Sequence, residues 1–147
     1  MSDDVLRAAP DDGGGSGMIV VGYSADRFGA AAVEHGIAEA KLRDSSLLVI
    51  NATEGESYVD RRFAGSGQIV DLETHLADSG VPFEIRQSVG VDPVRELLAA
   101  MDRPAATLLV IGIRHRNPVG KLLLGSISQK LILECPKPVL AVKPPED

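Results

Sequence analysis

From Met18 onward, short apolar runs alternate with longer segments of helical spacing. Met18-Ile19-Val20-Val21-Gly22 is apolar without interruption and predicts a buried strand. Ala30 to Leu42 carries Ala31, Val33, Ile37, Ala38 and Leu42 at spacings that predict one apolar helical face. Leu47 to Ile50 predicts a second strand, Arg62 to Asp78 a helix, and Val81 to Val89, with Val81, Phe83 and Ile85 alternating with polar neighbours, a half-buried strand nearer the sheet edge. Asp92 stands as a side-chain cap before Pro93, and Val94, Leu97, Leu98 and Met101 form the stripe of the helix they open. Ala106 to Gly112 is apolar on both faces, which predicts a strand at the centre of the sheet. A short helix, Ile127 to Leu133, and a last strand, Pro138 to Lys143, complete the pattern. Strands alternating with helices predict βαβ units with right-handed crossovers.

Composition narrows this picture. The 147 residues suffice for one domain. Aromatics at 3%, with no Trp, leave the core to Val, Leu, Ile and Ala. Residues 1–17 are acidic and Gly-rich and bury too little apolar surface to offset ordering entropy, so a disordered leader is expected ahead of a folded domain over 18–147. The net charge of −6 has the wrong sign for a protein that neutralises nucleic-acid phosphates. No apolar run approaches the roughly 20 residues that span a bilayer, and Met1-Ser2-Asp3-Asp4 lacks the features of a signal peptide, so a cytoplasmic protein is expected. Cys135 has no partner cysteine and no close basic neighbours, and reads as a reduced, structural thiol.

The chemistry concentrates after the central strand. In open α/β sheets, ligands bind beyond the carboxyl ends of the strands, where loops run into helix N-termini. Gly112 to Ser126 is such a connection and holds Arg114, His115, Arg116 and Lys121 among Gly112, Gly120 and Gly125. The glycines allow close backbone approach and the basic groups supply positive charge, which together suit a phosphate. Read blandly, the same basic groups make an ordinary solvated loop. Ser126 either caps the following helix or grips an anion through its N–H and hydroxyl. His115 lacks an orienting partner for general-base work, and His35 and His75 lie on separate elements without ligand spacing, so neither a catalytic residue nor a metal site is expected.

Three segments carry a family resemblance: the opening Ile19-Val20-Val21-Gly22-Tyr23-Ser24, the run Leu122-Leu123-Leu124-Gly125-Ser126-Ile127-Ser128, and Lys137-Pro138-Val139-Leu140-Ala141-Val142-Lys143. In order and spacing they resemble the universal stress protein family. The resemblance implies an open five-stranded parallel sheet with helices on both faces, Rossmann-like and of the adenine nucleotide α-hydrolase-like kind. It implies a site at Gly22, Tyr23, Ser24, Asn51, Gly112, Arg114, His115, Gly120, Lys121, Gly125, Ser126 and Ile127 for an adenine nucleotide, ATP with Mg2+. Two positions depart from the ATP-binding pattern: Ser24 stands where those members carry an aspartate, with Asp26 a candidate substitute, and His115 replaces the second glycine of the loop.

Two functions stay open at this stage. One is a regulatory stress-response module that binds an adenine nucleotide, with slow ATP hydrolysis as the most chemistry it would do. The other is a nucleotide-free interaction module that acts through a homodimer and a regulatory protein partner. Under either, the strand Pro138 to Lys143 is a sheet edge suited to pairing across a two-fold axis. An enzyme of a related pyrophosphatase fold would need a Ser-Gly-Gly-x-Asp loop, which Gly22-Tyr23-Ser24-Ala25-Asp26 is not.

Overall fold

A computed structural model describes residues 4–7, 17–55, 61–114 and 124–145. The chain runs through β1 (Asp4–Arg7), β2 (Met18–Gly22), α1 (Arg27–Arg43), β3 (Ser46–Thr53), α2 (Ser66–Ser79), β4 (Phe83–Val89), α3 (Pro93–Met101), β5 (Ala106–Gly112), α4 (Ser126–Glu134) and β6 (Val139–Val142). The sheet order is β1-β4-β3-β2-β5-β6. The five strands from β2 to β6 are parallel, as the resemblance implies. A sixth, β1, lies antiparallel on β4, so the expectation of a leader without structure fails at Asp4–Arg7.

Two apolar layers sandwich the sheet. Ile19, Val21, Leu47, Val49 and Ile85 meet Ala32, Val33 and Ile37 of α1 and Leu72 and Leu76 of α2 on one face. Val20, Leu48, Ile50, Leu109 and Ile111 meet Val94, Leu97 and Met101 of α3 and Leu131 of α4 on the other. Successive strand residues point to opposite faces, which is why unbroken apolar runs suit strands covered on both sides. Cys135, at the end of α4, is half-buried against the second layer.

Several boundaries differ from the sequence expectation, each for a visible reason. α1 starts at Arg27 because the Asp26 carboxylate accepts from the N–H groups of Phe28 and Gly29 and caps it. Its buried face runs through Gly29, Ala32, Val33, Gly36, Ile37 and Ala40, while Leu42, expected on that stripe, is 80% exposed, and Ala38 is exposed too. Leu42 follows Ile37 by five residues, a rotation of about 140° away from it. α2 starts at Ser66 rather than Arg62, because the backbone at Arg62 and Ala64 is tied to Asn51 and cannot also be helical. In α3 the cap at Asp92 is as expected, its side chain accepting from Val94 N at 3.0 Å, but Ala100 rather than Leu98 completes the buried stripe.

Candidate functional site

The sheet reverses its direction of growth beside β2. From β2 the chain adds β3 and β4 on one side, then returns to add β5 and β6 on the other. The helices that follow β2 and β5, α1 and α4, lie on opposite faces of the sheet, the arrangement at which open α/β sheets form a crevice. A cleft of about 290 Å³ occupies it, bordered by the β2–α1 turn, the ends of β3 and β5, and the start of α4. That is the low end of the roughly 300–1,000 Å³ usual for small-ligand pockets.

The β2–α1 wall is held in place by its own polar groups. Asp26 Oδ1 accepts from Ser24 Oγ at 2.7 Å as well as from Phe28 N at 3.1 Å and Gly29 N at 3.0 Å. Asp26 is therefore the helix cap, and the substitute role expected of it falls on an oxygen already engaged. Gly29 permits the turn: a Cβ there would lie 1.7 Å from the carbonyl oxygen of Ser24. Gly112 does the same from β5, since its Cβ would meet the carbonyl oxygen of Phe28 at 2.2 Å. The expected use of Gly112, close approach of backbone to a ligand, is thus replaced by close approach of backbone to backbone.

Asn51, expected among the ligand contacts, is 2% exposed and bonded within the protein at both ends of its amide. Nδ2 donates to Tyr23 O at 2.9 Å and Arg62 O at 3.1 Å, and Oδ1 accepts from Ala64 N at 2.8 Å and Gln87 Nε2 at 3.1 Å. Two donors and two acceptor directions exhaust an amide. Asn51 pins the loop before α2 against the end of β2, and what it gives the cleft is a floor. Tyr23, half-buried beside it, has its phenol pushed above the ordinary value of 10.0, first by burial and then by the charge of Asp26.

The opposite wall is open. α4 has Gly125 at its N-cap with no side-chain cap, so Ser126 occupies the first helical turn and does not cap it. The first helical bond is from Gln129 N to Gly125 O at 2.9 Å, which leaves the N–H groups of Ser126, Ile127 and Ser128 ahead of the ladder. A Cβ on Gly125 would meet nothing within 4 Å. With the positive end of the helix dipole, this corner has the make-up of an anion receiver. Arg114 borders the same cleft, its guanidinium 5.6 Å from the ring centroid of Phe28, and Arg27 reaches the same ring at 5.2 Å.

The structure thus gathers Gly22, Tyr23, Ser24, Asn51, Gly112, Arg114, Gly125, Ser126 and Ile127 around one cleft. His115, Gly120 and Lys121 lie outside the described residues. Sequence reasoning missed Phe28, which lines the cleft from the first turn of α1; the glycine directly after it, Gly29, was the available signal. Among the described residues, no three His, Cys, Asp or Glu side chains gather as a metal site. No helix among them is long and apolar enough to cross a membrane. His75 pairs with Glu34 across α1 and α2, away from the cleft, and His35 is exposed on α1.

Comparison with known proteins agrees with this fold. The sequence model of the universal stress protein family matches residues 17–143. A universal stress protein of Mycolicibacterium smegmatis is 77% identical over 127 residues, 86% of this chain and 98% of that protein. Among solved structures, the universal stress protein from Archaeoglobus fulgidus in complex with dAMP superposes with a TM-score of 0.56 at 24% identity, over 85% of this chain and 96% of that one. A universal stress protein in complex with cAMP superposes with a TM-score of 0.63 at 20% identity, over 89% and 99%.

Proposed function

Because the chain belongs to the universal stress protein family, we propose that it is a regulatory module of the stress response that binds an adenine nucleotide in the cleft between the β2–α1 turn and α4. The single observation that carries this reading is the uncapped N-terminus of α4, opening with Arg114 onto a cleft at the point where the sheet reverses. Relatives of the same fold hold dAMP and cAMP, both adenine nucleotides with one phosphate.

In this reading the phosphate meets the N–H groups of Ser126, Ile127 and Ser128 and the Ser126 hydroxyl, with Arg114 as counter-charge. The base lies toward Gly22 and Tyr23, where the Ser24 hydroxyl, the Oδ1 of Asp26 and the Asn51 amide are already bonded within the protein. A missing charged hydrogen bond at Ser24 weakens binding by about 1.5–3 kcal/mol relative to a site with aspartate there. ATP remains the ligand implied for the wider loop that His115, Gly120 and Lys121 would complete. Magnesium fits the chain's own residues poorly: Asp26 is the only carboxylate bordering the cleft among the described residues, and its Oδ1 already accepts three hydrogen bonds. The metal would arrive on a polyphosphate.

The protein would act in the cytoplasm as a homodimer through the β6 region, Pro138 to Lys143, where Val139, Leu140 and Ala141 are only half-buried. A second reading, an interaction module without nucleotide, is favoured by one observation: Ser24, Asp26 and Asn51 are engaged within the protein, so the base end of the cleft offers few free side-chain groups. Calorimetric titration of protein stripped of co-purified ligand with AMP, cAMP, and ATP with and without magnesium separates the two. Saturable binding of at least one nucleotide supports the first reading; no heat with any of them, at protein concentrations that detect millimolar affinity, leaves the second.

A further inference from the structure

The two edges of the parallel sheet are finished in different ways. β6 spans four residues between Pro138 and Pro144. A strand that short offers a partner only a few ladder groups. β4 spans seven residues with neither proline nor glycine inside it, in register with β3 from Phe83 to Val89. Left at an edge, such a strand presents a regular row of N–H and C=O groups to any extended chain.

The chain covers that row itself. β1 lies antiparallel on β4, with Asp4 opposite Gln87, Val5 opposite Arg86, Leu6 opposite Ile85 and Arg7 opposite Glu84. The register sets Leu6 level with a residue of the buried core and Arg7 level with a carboxylate. The new outer edge, Asp4-Val5-Leu6-Arg7, is short and charged at both ends, the form that resists further pairing. The connection closes easily within one chain. Arg7 stands level with the start of β4, at the same end of the sheet as Met18. Three strand spacings separate β1 from β2, about 14 Å, and the segment from Ala8 to Ser16 can extend to about 30 Å. β1 is also outside the family's shared part, which begins at residue 17.

The uncovered β4 edge would suit one partner in particular. Antiparallel pairing of β4 with β4 of a second copy, centred on Ile85, sets Glu84 of each copy opposite Arg86 of the other. Both side chains are partly exposed, at 19% and 24%, and already attract each other within the strand at 3.3 Å. Such a contact is self-complementary about a two-fold axis, and opposite charges directly across an antiparallel pair are favourable. We propose that the β4 edge is a self-association surface of this protein, matched to a second copy of the chain, and that β1 is an intramolecular strap that keeps it closed. This inference is independent of nucleotide binding.

The test uses the full chain with Val5→Pro and Leu6→Pro together. Successive N–H groups of a strand point to opposite sides, so the pair removes one ladder donor and disfavours the strand. A chain beginning at Gly17 serves as a second strap-free form if the proline pair disturbs folding by circular dichroism. Sedimentation velocity at matched concentrations should show the strap-free protein at an average mass at least about twice that of the parent, since each new edge contact joins two units. Adding Glu84→Arg to the strap-free protein should return the mass to the parent's value, because Arg then faces Arg86. A strap-free protein with the parent's mass overturns the proposal. So does an enlarged mass that Glu84→Arg leaves unchanged.

Discussion

The two walls of the cleft are built in opposite ways. On the β2–α1 wall, Asp26 holds Ser24, Phe28 and Gly29, while Asn51 holds Tyr23, Arg62, Ala64 and Gln87. Gly29, and Gly112 beside it, are pressed against backbone. On the α4 wall no side chain caps the helix, Gly125 faces open space, and three N–H groups precede the helical ladder. One wall is scaffold and the other is left open. A polar atom that borders a pocket is open to a ligand only if it is not already engaged, and by that criterion Asn51 and the Oδ1 of Asp26 belong to the fold.

Substitutions should separate the walls, and the largest effect is expected at Gly29. Gly29→Ala places a Cβ 1.7 Å from the Ser24 carbonyl oxygen, and the backbone must move; urea denaturation should show a loss of about 3 kcal/mol. Gly125→Ala on the other wall meets no atom, and as a helix N-cap change should cost under about 1 kcal/mol. Equal losses at the two glycines would erase the contrast.

Asn51→Ala comes next. It leaves buried groups such as Ala64 N without their partner, and about 2 kcal/mol of stability should be lost in the same measurement. Asp26→Ala removes the α1 cap and should cost about 1 kcal/mol. A loss below a few tenths for Asp26→Ala would mean that the cap is replaced by water and that the carboxylate is held for another purpose.

The smallest effect belongs to Tyr23. Its phenol is raised above 10.0 in the folded state by burial and by Asp26, so the folded protein holds this proton more tightly than the unfolded chain. Its contribution to stability is therefore full below pH 10 and declines as pH rises through the folded-state value. In denaturation series from pH 8 to 11, Tyr23→Phe should flatten the alkaline decline; an unchanged slope would show that other groups control it.

Much of this was legible in the sequence, and what was not has physical reasons. Met18–Gly22 and Ala106–Gly112 were legible as strands because a short, mostly apolar run bounded by turn residues has one good solution, a strand covered on both faces. The structure does open a cleft beside the end of β5, the strand after which the glycines and basic residues of the sequence stand. Leu42 was misplaced because a stripe counted from apolar residues alone passes over Gly29 and Gly36, small residues that let α1 approach the sheet. Asn51 and Asp26 were read as binding groups because a sequence shows which polar atoms exist and does not show that neighbours distant in the chain have engaged them. β1 was read as leader because four residues carry no periodic signal; only β4, far along the chain, gives them a partner.

The central claim, that the α4 wall receives the phosphate of an adenine nucleotide, is tested most directly by calorimetric titration of Ser126→Glu beside the parent. A carboxylate in the first turn of α4, which has no acidic residue there, favours the helix by about 0.3–1 kcal/mol, so folding is preserved while the anion corner turns negative. The account predicts that the parent binds an adenine nucleotide and that Ser126→Glu binds it at least tenfold more weakly, about 1.4 kcal/mol, at undiminished stability. Equal affinity in the two proteins would contradict it and place the phosphate elsewhere.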